Sequence, residues 1–165
     1  MRQGDRSVAA ASTFQWVRAD TLSRTYLLQG DHRTLASFSV QGFFRPEGFG
    51  EISGRAWYFE PLDADDGTLV VRKQGPCKDV ATFDLNASSG RGLLQICDGR
   101  TFVFRSDFWK GSAEFQTMAG EPLVQFRFRG VIRRSAKVEF RAAVDLTSDR
   151  IWLAMLGWCI ILGYL

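Results

Sequence analysis

IWLAMLGWCIILGYL, residues 151–165, contains no charged side chain, and how it is read decides the fold. As a helix it would run about 22 Å at ~1.5 Å per residue, short of the ~30 Å hydrocarbon thickness of a bilayer. Trp152, Leu156 and Ile160 fall on one face and Leu153, Ile161 and Tyr164 on others, so the segment is apolar all round. Such a helix must be surrounded by protein or by lipid. Thr147 or Ser148 supplies an N-cap and Asp149 a favourable first-turn charge, which places the helix at about 147–164. No basic residue follows to anchor a membrane exit, so burial within the protein is the expectation and a tail anchor is the alternative.

Upstream, strand follows strand, separated by turn chemistry. Leu35 to Val40 alternates Leu35, Ser37 and Ser39 against Ala36, Phe38 and Val40, while Glu51 to Phe59 breaks at Ser53-Gly54 into two short runs, a tight-hairpin signature. Further strands are read at 24–28, 68–72, 79–85, 93–97, 101–105, 113–118, 122–129 and 135–141, with a weaker one at 13–17, twelve in all. Nothing before residue 147 has helical periodicity. Residues 1–12 are read as a tail and 13–165 as one domain.

An internal repeat supports the strands. Ala36-Ser37-Phe38 recurs as Ala81-Thr82-Phe83, and Gly54-Arg55 as Gly99-Arg100, both at an offset of 45. Trp57-Tyr58-Phe59 then falls on Phe102-Val103-Phe104, and a third unit opens with Val124-Gln125-Phe126 but lacks its hairpin. A dozen strands must dispose of their edges, and closing into a barrel does so. That many strands leave an interior too wide for side chains alone, since diameter grows with strand number. A seven-residue strand is about 23 Å long at ~3.3 Å per residue, close to the length of the apolar helix. The expected fold is therefore an all-β barrel of about twelve antiparallel strands enclosing the C-terminal helix.

The repeated Gly-Arg-aromatic units, such as GRTFVFRSDFW at 99–109, and the terminal LAMLGWCIILGYL from Leu153 give the chain a further likeness. It resembles the tubby C-terminal-like superfamily of tubby proteins, phospholipid scramblases and plant LURP-one-related proteins, as a compact bacterial-type member. The resemblance covers about residues 13–165 and implies a non-enzymatic barrel around a central helix with a capacity for lipid binding. The cysteine-rich palmitoylation cluster of scramblases is lacking.

Composition and charge narrow the chemistry. The 165 residues are 45% hydrophobic with 5 Trp, 3 Tyr and 14 Phe, which suits one domain with a large, strand-rich core. Cys77, Cys97 and Cys159 form no C-x-x-C pair, so reduced thiols are expected instead of a disulfide framework or zinc ribbon. Near the N-terminus the apolar run spans only Val8 to Ala11, where an export signal needs roughly 7–15 residues, so a cytoplasmic location is expected. His32 is the single histidine and sits in a Gly-Asp-His-Arg turn, which leaves nucleophilic and zinc schemes without partners. Asp63, Asp65 and Asp66 are spaced as in a calcium loop, but Gln74 stands where a bidentate Glu is needed. Ser88 to Gly92 lacks the Gly-Lys-Ser/Thr ending of a phosphate loop. No catalytic residue, cofactor or metal is expected.

One feature carries functional colour: FRFRGVIRRSAKVEFR at 126–141. Alternation sends Phe126, Phe128, Ala136, Val138 and Phe140 to one face and the charged set to the other. Arg127, Arg129, Arg133, Arg134, Lys137 and Arg141 against Glu139 sum to +5 in a chain whose net charge is +3. Such a patch suits anionic phospholipid headgroups at a membrane surface, each basic residue contributing about 1 kcal/mol. Basic residues also keep exposed strands soluble, so a structural or protein-interaction domain is the alternative. A scramblase-like protein anchored by the C-terminal helix is the third reading. Nucleic acid is not expected, because no RRM, OB or helix-turn-helix pattern accompanies the charge. A monomer, peripheral at the membrane, is the expected state.

Overall fold

In the computed structural model, described for residues 12–41, 47–62, 67–75, 79–107, 109–129, 135–141 and 150–163, the alternation read from the sequence becomes inside and outside. Twelve strands, β1 (Ser12–Arg18), β2 (Thr25–Gly30), β3 (Arg33–Gln41), β4 (Glu47–Ile52), β5 (Arg55–Pro61), β6 (Thr68–Lys73), β7 (Asp79–Asn86), β8 (Arg91–Ile96), β9 (Thr101–Asp107), β10 (Ser112–Thr117), β11 (Pro122–Phe128) and β12 (Ser135–Phe140), precede one helix, α1 (Arg150–Gly163). Each strand pairs antiparallel with its sequence neighbours, and β1 pairs with β12 to close the barrel. Every strand read from the sequence has its counterpart here, as does the terminal helix. Thr147, Ser148 and Asp149, the expected cap and first-turn positions, lie outside the described residues.

Tight turns set the register. Asp31 and His32 have φ of 48° and 62°, and Ser53 and Gly54 of 50° and 74°. Two successive positive φ values make the two-residue turn whose twist matches that of the strands it joins. His32 thus sits exposed at a hairpin tip, as its sequence context suggests.

Strand direction alternates strictly, so the connections β1–β2, β3–β4, β5–β6, β7–β8, β9–β10 and β11–β12 all lie at one end, here the upper rim. The helix runs from the lower end towards that rim. Near its start Trp152 stacks on Trp57 at 5.8 Å, early in β5, and further on Trp158 stacks on Trp16 at 6.1 Å, late in β1. Trp152 to Ile161 are buried without a break, each large apolar side chain contributing roughly 1.5–3 kcal/mol. The apolar segment is therefore core.

The helix is not centred by chance. It passes between β4 and β11, which stand across the ring from one another, with four strands between them one way and six the other. On β4 the inward positions are Gly48 and Gly50, lying against Cys159 and Met155. On the opposite side, Gly157 of the helix meets the ring of Phe126. The remaining lobe is filled by an aromatic chain, Phe83, Phe104, Phe115 and Phe126, in edge-on or tilted contacts of 5.0 to 6.5 Å.

The internal repeat becomes rotational. β3, β7 and β11, which carry the Ala-Ser-Phe-type triplets, are spaced four strands apart in the ring. So are β5, β9 and β1. The third unit's missing aromatic strand is supplied by the N-terminal strand, whose Phe14 and Trp16 point inward as Trp57 and Phe59 do on β5 and Phe102 and Phe104 on β9. Each aromatic strand faces a neighbour with at least one small inward residue, Gly48 and Gly50, Gly92, or Ala136, the large-to-small complementarity that fills a barrel.

Candidate anion-binding surface

On β11 and β12 the inward residues Phe126, Phe128, Ala136, Val138 and Phe140 are 5% exposed or less. Their alternates Arg127 and Lys137 therefore point outward, and both are exposed. They are direct cross-strand partners. Like charges placed opposite each other destabilise a sheet, and among the described residues neither side chain joins an ion pair. Arg129, also exposed, follows two residues after Arg127, just past the end of β11, where the chain leaves for the upper rim.

Arg141 behaves differently. Its Nε and one terminal nitrogen donate to Gln125 Oε1 at 3.1 and 2.7 Å, and that terminal nitrogen lies 3.4 Å from Glu139 Oε2. Gln125 in turn donates to Glu114 Oε2 at 2.9 Å, and Gln116 donates to the same carboxylate. Arg141 is thus tied into a polar network running from β12 to β10, with Glu139 standing between it and Lys137. Of the six basic residues singled out in the sequence, Arg127, Arg129 and Lys137 form the exposed group, Arg141 belongs to the network, and Arg133 and Arg134 lie outside the described residues.

Around this group the outer surface is polar. Gln15 on β1 is the partner of Lys137, and Ser112 on β10 that of Arg127. A membrane-spanning barrel carries an apolar outer band, the reverse of this arrangement. Among the described residues no helix is long and apolar enough to cross a membrane.

Hollows among the described residues open on the outside. One of about 680 Å³ lies by the β7–β8 connection, lined by residues including Asp84, Asn86, Ser88 and Arg91. Another of about 360 Å³ includes Gln15, Gln29, His32 and Arg33, and so reaches the strand next to Lys137.

Among the described residues, Asp98 and Cys159 depart from their ordinary values, each for a structural reason. Hydrogen bonds from Arg100 hold the Asp98 carboxyl below its usual range at the exposed β8–β9 turn. Burial alone pushes the Cys159 thiol up to about 12. Cys97 is a free, exposed thiol, and Cys77 lies outside the described residues, as do Asp63, Asp65 and Asp66. No group of three His, Cys, Asp or Glu side chains among the described residues is placed to hold a metal ion.

Comparison of the chain with family models, with curated proteins and with solved structures finds no match.

Proposed function

We propose that this chain is a non-enzymatic, tubby-like binding domain that holds anionic phospholipid headgroups at a membrane surface through the outer face of β11 and β12. The observation carrying the reading is the Arg127–Lys137 pair. Two exposed cations are held side by side on a rigid sheet, with Arg129 beside them, at an arrangement that costs stability unless an anion is supplied from outside. A phosphodiester headgroup supplies that charge, and the barrel adds rigidity, so little ordering is lost on binding.

Enclosure of the apolar helix weighs against the anchored, scramblase-like alternative, since its side chains are already used inside the barrel. A protein-interaction domain without lipid ligand is the second reading, and it is favoured by the same exposed charge if the partner is acidic. Sedimentation of the full chain with phosphatidylcholine vesicles containing increasing phosphatidylserine separates the two. Lipid binding predicts bound protein that rises with the anionic fraction and falls with salt. Equal partitioning at all compositions would exclude it.

A further inference from the structure

The described residues with the highest exposure among large apolar side chains are Leu22 at 96% and Trp109 at 94%. Both stand on the upper rim, Leu22 in the β1–β2 connection and Trp109 in the β9–β10 connection. In the ring, β9, β10, β11, β12, β1 and β2 are consecutive. These two connections therefore flank the one from β11 to β12, at whose base Arg129 lies. At ~4.8 Å per strand the span from one apolar tip to the other is about 19 Å of rim.

Each tip is held by the same device. Asp20 Oδ1 accepts hydrogen bonds from the backbone N–H groups of Leu22 and Ser23 at 2.8 and 2.6 Å. Asp107 Oδ1 accepts from the N–H of Lys110 at 3.1 Å, and Gly111, with φ of 62°, returns the chain to β10. Both carboxylates fix their loops through these amides, and Asp107 Oδ2 also lies 3.5 Å from Lys110 Nζ. At the rim and on the strand ends that adjoin it the described cations are Arg18, Arg24, Lys110, Arg127, Arg129 and Lys137, against Asp20 and Asp107, with Arg105, Glu114 and Glu139 further down the strands. Leu62, 57% exposed on another part of the rim, instead precedes Asp63, Asp65 and Asp66 in the sequence.

We infer that the chain seats end-on against an anionic bilayer, with Trp109 and Leu22 entering the headgroup–acyl boundary and the basic residues between them meeting the phosphates. Rigid apolar tips interleaved with cations match the two layers of that boundary, which takes up Trp and Leu side chains and attracts Lys and Arg. A flat protein partner would meet the same charge but has no apolar layer at a constant depth below it. End-on seating rests on the proposed lipid binding and adds the orientation and the penetrating residues.

The test uses tryptophan emission. Trp16, Trp57, Trp152 and Trp158 are 6% exposed or less, so iodide quenches Trp109 selectively. With vesicles of phosphatidylcholine and phosphatidylserine, the full chain is expected to lose iodide quenching and to be quenched by brominated acyl chains. The Trp109→Phe variant should show neither change. Trp109→Ala should bind these vesicles roughly tenfold more weakly. Binding with Trp109 still open to iodide and untouched by bromolipid would overturn end-on seating while leaving lipid binding intact. Absence of binding to anionic vesicles would overturn both. Iodide protection that grows with protein concentration in the absence of vesicles would assign the rim to a second copy of the chain, and would also overturn it.

Discussion

Gly157, midway along α1, rests against the ring of Phe126 on β11, so closely that a methyl group on Gly157 would overlap the ring edge. Glycine inside a helix ordinarily costs about 1 kcal/mol relative to alanine. Here overpacking against a rigid, 1% exposed ring outweighs that gain, at roughly 1–3 kcal/mol. Gly157→Ala should therefore lose up to about 2 kcal/mol in urea denaturation, although an exposed helix would gain from the same change. Gly50→Ala should cost less, because the atoms met first are the flexible thioether end of Met155. Equal or greater stability of Gly157→Ala would show that the helix has room to move away from β11.

The Cys159 thiol provides a pH signature of the packed core. Its pKa is raised by burial from 9.0 to about 12 in the folded chain. Above pH 9 the unfolded chain binds fewer protons at this site than the folded one, so stability is fully present below pH 9. It is then lost by about 1.4 kcal/mol per pH unit as pH rises towards 12. Equilibrium unfolding between about pH 8 and about pH 10.5 should show this slope, and Cys159→Ala should flatten it relative to wild type. In a Cys77→Ser background, a thiol reagent should label exposed Cys97 in the native state and reach Cys159 only on denaturation. Comparable labelling of both at about pH 8 would mean that the interior opens readily.

Removal of the helix tests whether the barrel stands without its filling. A chain ending at Asp149 loses the ten buried residues from Trp152 to Ile161. It should lose near-ultraviolet ellipticity and bind hydrophobic dyes, the signs of an expanded state without fixed packing. A truncated chain with native-like thermal unfolding would show that the sheet closes unaided.

Much of this architecture is legible in the sequence, because period-two alternation and turn residues act locally. Ser53-Gly54 announces its own hairpin, and a charge-free, all-round apolar helix admits few placements. What the sequence hides is long-range. That β1 completes the third repeat follows from ring closure, which no local pattern shows, and the helix's position follows from Gly48 and Gly50, whose meaning appears only with Met155 and Cys159 opposite them. At the candidate site, alternation points Arg127 and Lys137 outward as found, but it cannot tell that Arg141 is committed to Gln125. Nor does alternation reveal Leu22 and Trp109, since both lie in turns, where side-chain direction depends on a few hydrogen bonds such as those to Asp20 and Asp107.

That distinction among the cations is itself testable. Arg127→Ala and Lys137→Ala should each weaken binding to anionic vesicles about fivefold, from ~1 kcal/mol per basic residue near the surface. Arg141→Ala should change binding less than about twofold and instead lower stability slightly, by roughly 0.5 kcal/mol for a half-exposed network. A loss of binding for Arg141→Ala as large as for Arg127→Ala would return it to the lipid-binding group.

Charge reversal at the paired strands probes the functional account most directly. Arg127→Glu/Lys137→Glu replaces two cations by two anions at facing, exposed positions, and opposes headgroup binding by about 2 kcal/mol per reversal. Flotation with phosphatidylcholine–phosphatidylserine vesicles should recover wild type in the lipid fraction and leave the folded double variant, verified by circular dichroism, at the bottom of the gradient. Flotation of the folded double variant to the same extent as wild type would contradict lipid recognition by this face.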